Sequence, residues 1–499
     1  MKGCDLIFYT PENQYPGMPH GEMCGDIMPF YWEGRYILFF LYKYCIYAVE
    51  TEDFVHYGKC RLVLQNGSPD EQDWHAATGS VFHHEGTFYF YYTGFCEGNR
   101  GVPGKYEQAV LRATSADLIH WTKDTGYFFP PDTRFYGDRH WRDPHVFWNQ
   151  ELESFCMLVT ATEKEGAVLR DGCTAVYVSG DMKHWEHYKT IYSPRTFPTH
   201  ECHDAFLMGG RWYLTFSNYS RWWETRYRLA EQFNGPWEMP EQDDMFDGRE
   251  FYAAKTVTDG KKRYLVGWLS IRKDCRDDGR FVWGGNTCVH ELVQREDHTL
   301  GVRMVEAVRR SFSLELPRQL QGYDGVWKAE ERTPKGSIVN ENAAEDMDGN
   351  AELITGRSED GFGWASLGEL TDPCLFEATL RWKPGTKAVG LMIHASGEKL
   401  ERWCQLRLEL THQKIVMDYY NRIDGDQSYI DERPVRFRDG EARVQLLVSG
   451  TIMQVYVDDV ALTTRCYSVQ SGLIGVFAEY GTVSCAEPRL LGQCEEFRA

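Results

Sequence analysis

The sequence has no apolar run long enough to cross a membrane. Its most apolar stretch, Tyr36 to Val49, is interrupted by Lys43, and a spanning helix needs about 20 such residues in a row. Positive charge is in deficit as well. The net charge of −20 argues against nucleic acid or an anionic membrane surface as a partner. Paired CxxC spacings are absent, and the fifteen cysteines form an odd, scattered set. That pattern suits free, buried thiols in a reducing compartment better than a disulfide framework. The opening residues, MKGCDLIFYT, lack the apolar core and small-residue cleavage site of a secretory signal. The expected location is therefore the cytoplasm. No convincing helical period runs through the first three hundred residues either.

Aromatic residues are abundant. With 29 Tyr, 27 Phe and 16 Trp, the chain can build both strand cores and flat surfaces for sugar rings. A unit made of a turn followed by an aromatic strand occurs five times: EGRYILFFL from Glu33, EGTFYFYYTG from Glu85, LESFCMLVTA from Leu152, GGRWYLTFS from Gly209 and GKKRYLVGWL from Gly260. Alternation within these strands is only partial, as expected where both faces are covered. A second unit follows three of them, ETEDFVHY, TSADLIHW and VSGDMKHW. Its aspartates, Asp53, Asp117 and Asp181, recur at a spacing of 64 residues. A polar turn followed by an aromatic reads as a tight hairpin pinned by a ring, so these acids are assigned to scaffolding.

Five copies of a multi-strand unit indicate radial β-repetition. The predicted fold is all-β, a five-bladed β-propeller over residues 1–305. A connector is expected over 306–335, where EAVRRSFSLEL could hold a short helix, and the acidic NENAAEDMDGNAEL reads as a boundary loop. Residues 336–499 carry strand-like runs separated by turn residues, from CLFEATLRW to GLIGVFAEYG, and are expected to form a β-sandwich that supports the propeller or makes a homodimer contact.

Three carboxylates stand at the edges of aromatic strands. Asp26 lies in CGDIMPFYW, Asp143 in HWRDPHVFW beside Arg142, and Glu201 in PTHECHDAF. Glycoside cleavage needs one protonated and one ionised carboxyl group across the scissile bond. A third acid beside an arginine can stay ionised. Acids beside turns more often cap or stay solvated, so spacing alone does not select these three. Their joint placement in one radial repeat does. Trp74, Tyr252 and Trp283 are candidate sugar-stacking walls, with ordinary blade packing as the alternative. The cluster His200, Cys202, His203 and Asp204 has no metal-site spacing, and no metal or cofactor is expected.

These motifs resemble glycoside hydrolase family 32, the β-fructofuranosidase, invertase and fructanase family, from about Gly25 to Val308. GDIMPFY is similar to its first motif, ATGSV from Ala77 to its Phe-Ser-Gly-Ser segment, WRDPHVF to its Arg-Asp-Pro motif and ECHDAF to Glu-Cys-Pro-Asp. DGREFYAAKT from Asp247 and WGGNTCVHEL from Trp283 resemble two further segments, and VYVDDVALTTRCY from Val455 resembles its sandwich domain more weakly. The resemblance implies a nucleophile at Asp26, a transition-state stabiliser held by Arg142 at Asp143, and an acid/base at Glu201. It also implies sugar contacts from Arg142, Trp74, Thr78, Tyr252, Trp283 and Cys202. It departs from the family at Ile27, Leu41, Ala77, Thr78 and His203, positions around the sugar rather than the acids. The implied activity is retaining hydrolysis of a small β-fructofuranoside. Another furanosidase such as an arabinofuranosidase, a fructosyltransferase and a non-catalytic sugar-binding propeller are the competing readings.

Overall fold

The computed structural model describes residues 4–5, 7–10, 24–219, 223–331, 351–358, 361–396, 399–421 and 426–494. The chain divides into two compact units, Met1–Ile271 with Phe281–Gly301 and Arg272–Arg280 with Val302–Ala499.

The first unit is a five-bladed β-propeller. Its five sheets begin with the strands Gly25–Trp32, His75–His84, Arg142–Asn149, Glu201–Met208 and Phe251–Thr258. These first strands neighbour one another in a closed ring, the last packing back on the first. All five aromatic repeats are the second strands of their blades: Arg35–Tyr42, Thr87–Phe95, Ser154–Thr162, Arg211–Asn218 and Arg263–Arg272. Their lack of clean alternation has a direct cause. Phe90 and Tyr92 point into the core shared with the first sheet, and Tyr91 into the core shared with the third. Met157 and Val159 enter that same core from the other side, while Cys156 and Leu158 enter the next one. Each blade buries both faces, so consecutive positions in its second strand, and not alternate ones, are apolar. Three of the turns joining first and second strands hold consecutive positive-φ residues, Glu33-Gly34, Glu85-Gly86 and Gly209-Gly210, as two-residue hairpins require.

The Asp53, Asp117 and Asp181 hairpins have one construction. A hydroxyl at Thr51, Ser115 or Ser179 accepts the N–H of the residue after the aspartate. The aspartate in turn accepts two backbone N–H groups and contacts His56, His120 or His184 at 2.6–2.7 Å. The ring pins are Tyr57 and Trp121, whose O–H and N–H donate to the carbonyls of Phe54 and Leu118. These acids are structural. Asp53→Ala is expected to cost about 1 kcal/mol without touching activity; a melting curve and a rate assay check both.

The second unit is a sandwich of an eight-stranded and a seven-stranded sheet around a core that includes Phe376, Leu380, Leu391, Leu406, Val444 and Val476. Residues 306–331 are not a connector. After the helix Glu306–Arg310, Phe312–Glu315 and Val326–Glu331 join the eight-stranded sheet, and Gln321–Asp324 joins the other. Their polar sequence disguised them because they lie toward sheet edges, with one side in water. The expected boundary loop from Asn340 falls mostly outside the described residues.

Candidate active site

The first strand of four blades carries the same irregularity two residues in. Pairing with the second strand shifts between Gly25 and Met28, Arg142 and His145, Glu201 and Asp204, and Tyr252 and Lys255. In each bulge the first unpaired residue has positive φ: Asp26 at 49°, Asp143 at 56°, Cys202 at 51° and Ala253 at 52°. A bulge re-aims the side chains around it and is favoured next to active sites, and positive φ on non-glycine residues concentrates where function over-determines the backbone. The second blade shows a smaller shift around Thr78.

The irregularity aligns the blades. Asp26 and Asp143 occupy the bulge position, which Cys202 fills in the fourth blade. Glu201 sits one position earlier, equivalent to Gly25, Arg142 and Tyr252. The three acids therefore do not share one place in the repeat.

A closed circuit of contacts links them. Thr78 Oγ1 donates to Asp26 Oδ2 at 2.7 Å, and the Trp268 indole N–H donates to Asp26 Oδ1 at 3.2 Å. Trp268 packs on Tyr252, ring centres 5.5 Å apart, and the Tyr252 hydroxyl bonds Glu201 Oε2. Glu201 Oε1 accepts Arg142 Nη2 at 2.6 Å, and Arg142 Nε lies 3.6 Å from Asp143 Oδ2. The Asp143 amide donates to Thr93 Oγ1 at 2.8 Å, and Thr93 donates at 2.8 Å to the carbonyl of Thr78. Residues from all five sheets thus meet in one connected cluster.

Burial pushes Asp26 up to about 7; the Thr78 hydrogen bond opposes this, and the charges of Asp143 and Glu201 add to it. Burial also raises Asp143, with the Arg142 guanidinium pulling the other way. Asp143 Oδ2 accepts the Cys202 amide at 3.0 Å and the Thr160 hydroxyl at 3.2 Å. Two sequence expectations change here. Arg142 engages Glu201 more closely than Asp143, because the bulge aims its guanidinium across to the next blade. Cys202 serves through its backbone N–H; its thiol is buried and pushed far above the ordinary thiol value by desolvation.

Tyr252, Thr78 and Arg142 lie in the circuit. Trp283 is 43% exposed and covers Gly25, where a Cβ would come within 2.5 Å of its ring; it also faces Trp268 at 6.0 Å. Trp74 stands apart, packed on His75, which stacks on Tyr44 at 3.9 Å. Sequence reasoning missed Trp268 and Trp223, which packs on both Tyr252 and Trp268. Trp268 sits in a quoted repeat strand, where its ring read as core. It also missed a polar layer after the bulges: His145 contacts Asp204 at 3.1 Å, and Lys255 Nζ donates to the carbonyl of His203 at 2.5 Å. Those side chains are two residues past each bulge residue, a regularity visible only once the bulges align. A group able to hold a metal ion, Asp247, Cys288 and His290, is buried on and beside the fifth sheet, with ligand atoms within 4.8 Å of one another. There His290 Nε2 contacts Asp247 Oδ2 at 2.9 Å.

A propeller whose first strands gather carboxylates, an arginine and exposed indole surface has the paired acids that glycoside cleavage requires. The chain belongs to glycosyl hydrolase family 32: the model described as the glycosyl hydrolases family 32 N-terminal domain matches residues 23–300. Similar solved structures include sucrose-6-phosphate hydrolase from Lactobacillus gasseri (16% identity, TM-score 0.68, covering 94% of this chain and 91% of that one). Exo-inulinase from Aspergillus awamori is similar at 15% identity and TM-score 0.68, over 98% of this chain and 97% of that one. So is the Bombyx mori family 32 beta-fructofuranosidase, at 16% identity and TM-score 0.65, over 94% and 91%.

Proposed function

We propose that this protein releases fructose from the non-reducing end of a small β-fructofuranoside, sucrose or a fructo-oligosaccharide, with retention of configuration. The observation that carries this reading is the contact circuit, which links Asp26 to Glu201 through Trp268 and Tyr252 and leaves the two carboxyl groups close enough for their charges to interact. In the first step an Asp26 oxygen attacks the anomeric carbon as Glu201 gives its proton to the departing glycosidic oxygen. In the second, Glu201 takes a proton from water, whose oxygen displaces Asp26. Asp143 is fixed by two donors, leaving its other oxygen to accept sugar hydroxyls whose hydrogen bonds tighten as positive charge develops. Trp283 offers the face on which a furanose ring packs. The solved relatives include a Bombyx mori mutant in complex with sucrose and a fructan 1-exohydrolase from Cichorium intybus with 1-kestose, which makes both sugars natural first substrates to try.

We also place the protein in the cytoplasm. Support comes from the free cysteines, twelve of them buried among the described residues, an arrangement suited to a reducing compartment.

The test is a panel of sucrose, 1-kestose, inulin, levan and an aryl arabinofuranoside, assayed for released monosaccharide. The reading expects fructose from sucrose or kestose at the highest kcat/KM. Turnover of the arabinofuranoside alone would overturn it.

A further inference from the structure

A cavity of about 610 Å³, within the size range of small-ligand sites, has Arg142 in its wall. Its wall includes Phe95, Tyr106, Gln108, His140 and Arg142. Arg142 is the residue that holds Glu201, so its guanidinium links this wall directly to the group that protonates the departing oxygen. Most of the charges around it are already paired. Arg100 is bound by Glu107, with Nε to Oε2 at 2.7 Å, and Arg139 by Asp171 at 2.5 Å. Two exposed residues of opposite charge, Lys105 and Asp138, complete the charged lining. What remains is aromatic surface and neutral hydrogen-bonding groups, the chemistry of a neutral sugar.

His140 stands out in that wall. Its φ is 54°, and Arg142 Nη1 lies 2.7 Å from its Nδ1. A guanidinium can only donate, so Nδ1 is the acceptor and the proton sits on Nε2. The ring stays neutral, since burial and the Arg142, Arg139 and Arg100 charges lower it to about 3. Nε2–H has no protein acceptor among the described residues.

Resting on the functional reading above, we propose that this cavity receives the leaving group as a neutral, unphosphorylated sugar, and that His140 positions it by donating from Nε2–H to one of its hydroxyls. A donor that meets only the leaving group changes the rate according to what departs.

Three variants and two substrates test this. His140→Asn keeps an acceptor near Nδ1 for Arg142 and loses the distant donor. His140→Gln reaches the Nε2 position, and His140→Ala removes both. On sucrose, kcat/KM is expected to fall about 10-fold in the Asn and Ala variants, with Gln recovering part of the loss. On p-nitrophenyl β-D-fructofuranoside, whose leaving group has no sugar hydroxyls, the fall should be no more than about two-fold. Equal losses on both substrates, or an Asn variant matching wild type on sucrose, would overturn the role of His140. A wild-type preference for sucrose 6-phosphate over sucrose would overturn the neutral cavity. Wild-type protein that releases fructose from neither substrate would instead defeat the functional reading, and this inference with it.

Discussion

Asp26→Ala is expected to lower kcat/KM by on the order of 10⁴-fold or more, equally for every fructoside, because it removes the atom that bonds the anomeric carbon. Glu201→Gln should behave differently. It keeps the shape and the contacts to Arg142 and Tyr252 but has no proton to give. Its loss should be about 10²- to 10⁴-fold on sucrose and much smaller in the first step on p-nitrophenyl β-D-fructofuranoside, whose phenolate leaves without protonation. The contrast separates the two roles. Uniform losses in both variants would mean that the acids only shape the site. The free-enzyme pH profile gives a third check. Asp26 must be ionised to attack, so kcat/KM should fall as pH drops through about 7, where burial has moved this carboxyl.

The same displacement makes Asp26→Asn a stabilising change at alkaline pH. In wild type the unfolded chain ionises near the ordinary 3.8, while the folded chain resists until about 7. Below pH 3.8 both states are protonated and Asp26 has no cost. Between those values stability is progressively lost as the unfolded state sheds its proton first, and above about 7 the loss is complete. At about 1.4 kcal/mol per pH unit, the gap sets a ceiling of roughly 4 kcal/mol, and partial exposure and the neighbouring acids reduce it to about 2–4. Asparagine is neutral throughout. Its carbonyl can accept the Trp268 N–H, and its amide can donate to the Thr78 hydroxyl, which rotates to accept. The variant is therefore expected to match wild type near pH 4 and to melt about 3–7 °C higher at pH 8.5. An equal or lower melting temperature at pH 8.5 would mean that the carboxylate is not held against its ionisation.

The parts of the fold legible in the sequence are those where burial acts on every residue of a strand. The second strands of the blades lie between two neighbours, so their aromatic runs announce the repeat. The sandwich strand Ala388–Ala395, buried at every position, reads clearly for the same reason. Thr482–Gln493 did not, because Glu487 at φ 50° breaks its alternation and Pro488 suggests a loop. In the site, motif residues marked the acids, but the bulges that bring them together have no sequence signal of their own: Asp26, Asp143, Cys202 and Ala253 share a backbone shape, while only the first two share a side chain. Without that alignment, Arg142 was paired with its chain neighbour rather than with Glu201 in the next blade. Trp268 was hidden because its aromatic body is core while its N–H serves Asp26.

Double displacement on one sugar is tested most directly by running the reaction in aqueous methanol and recording the proton spectrum of the first product. Attack by Asp26 on one face, followed by methanol on the opposite face that the leaving group vacated, yields methyl β-D-fructofuranoside. Formation of the α-anomer would contradict the account, because it would require a single inverting step with no bond to Asp26.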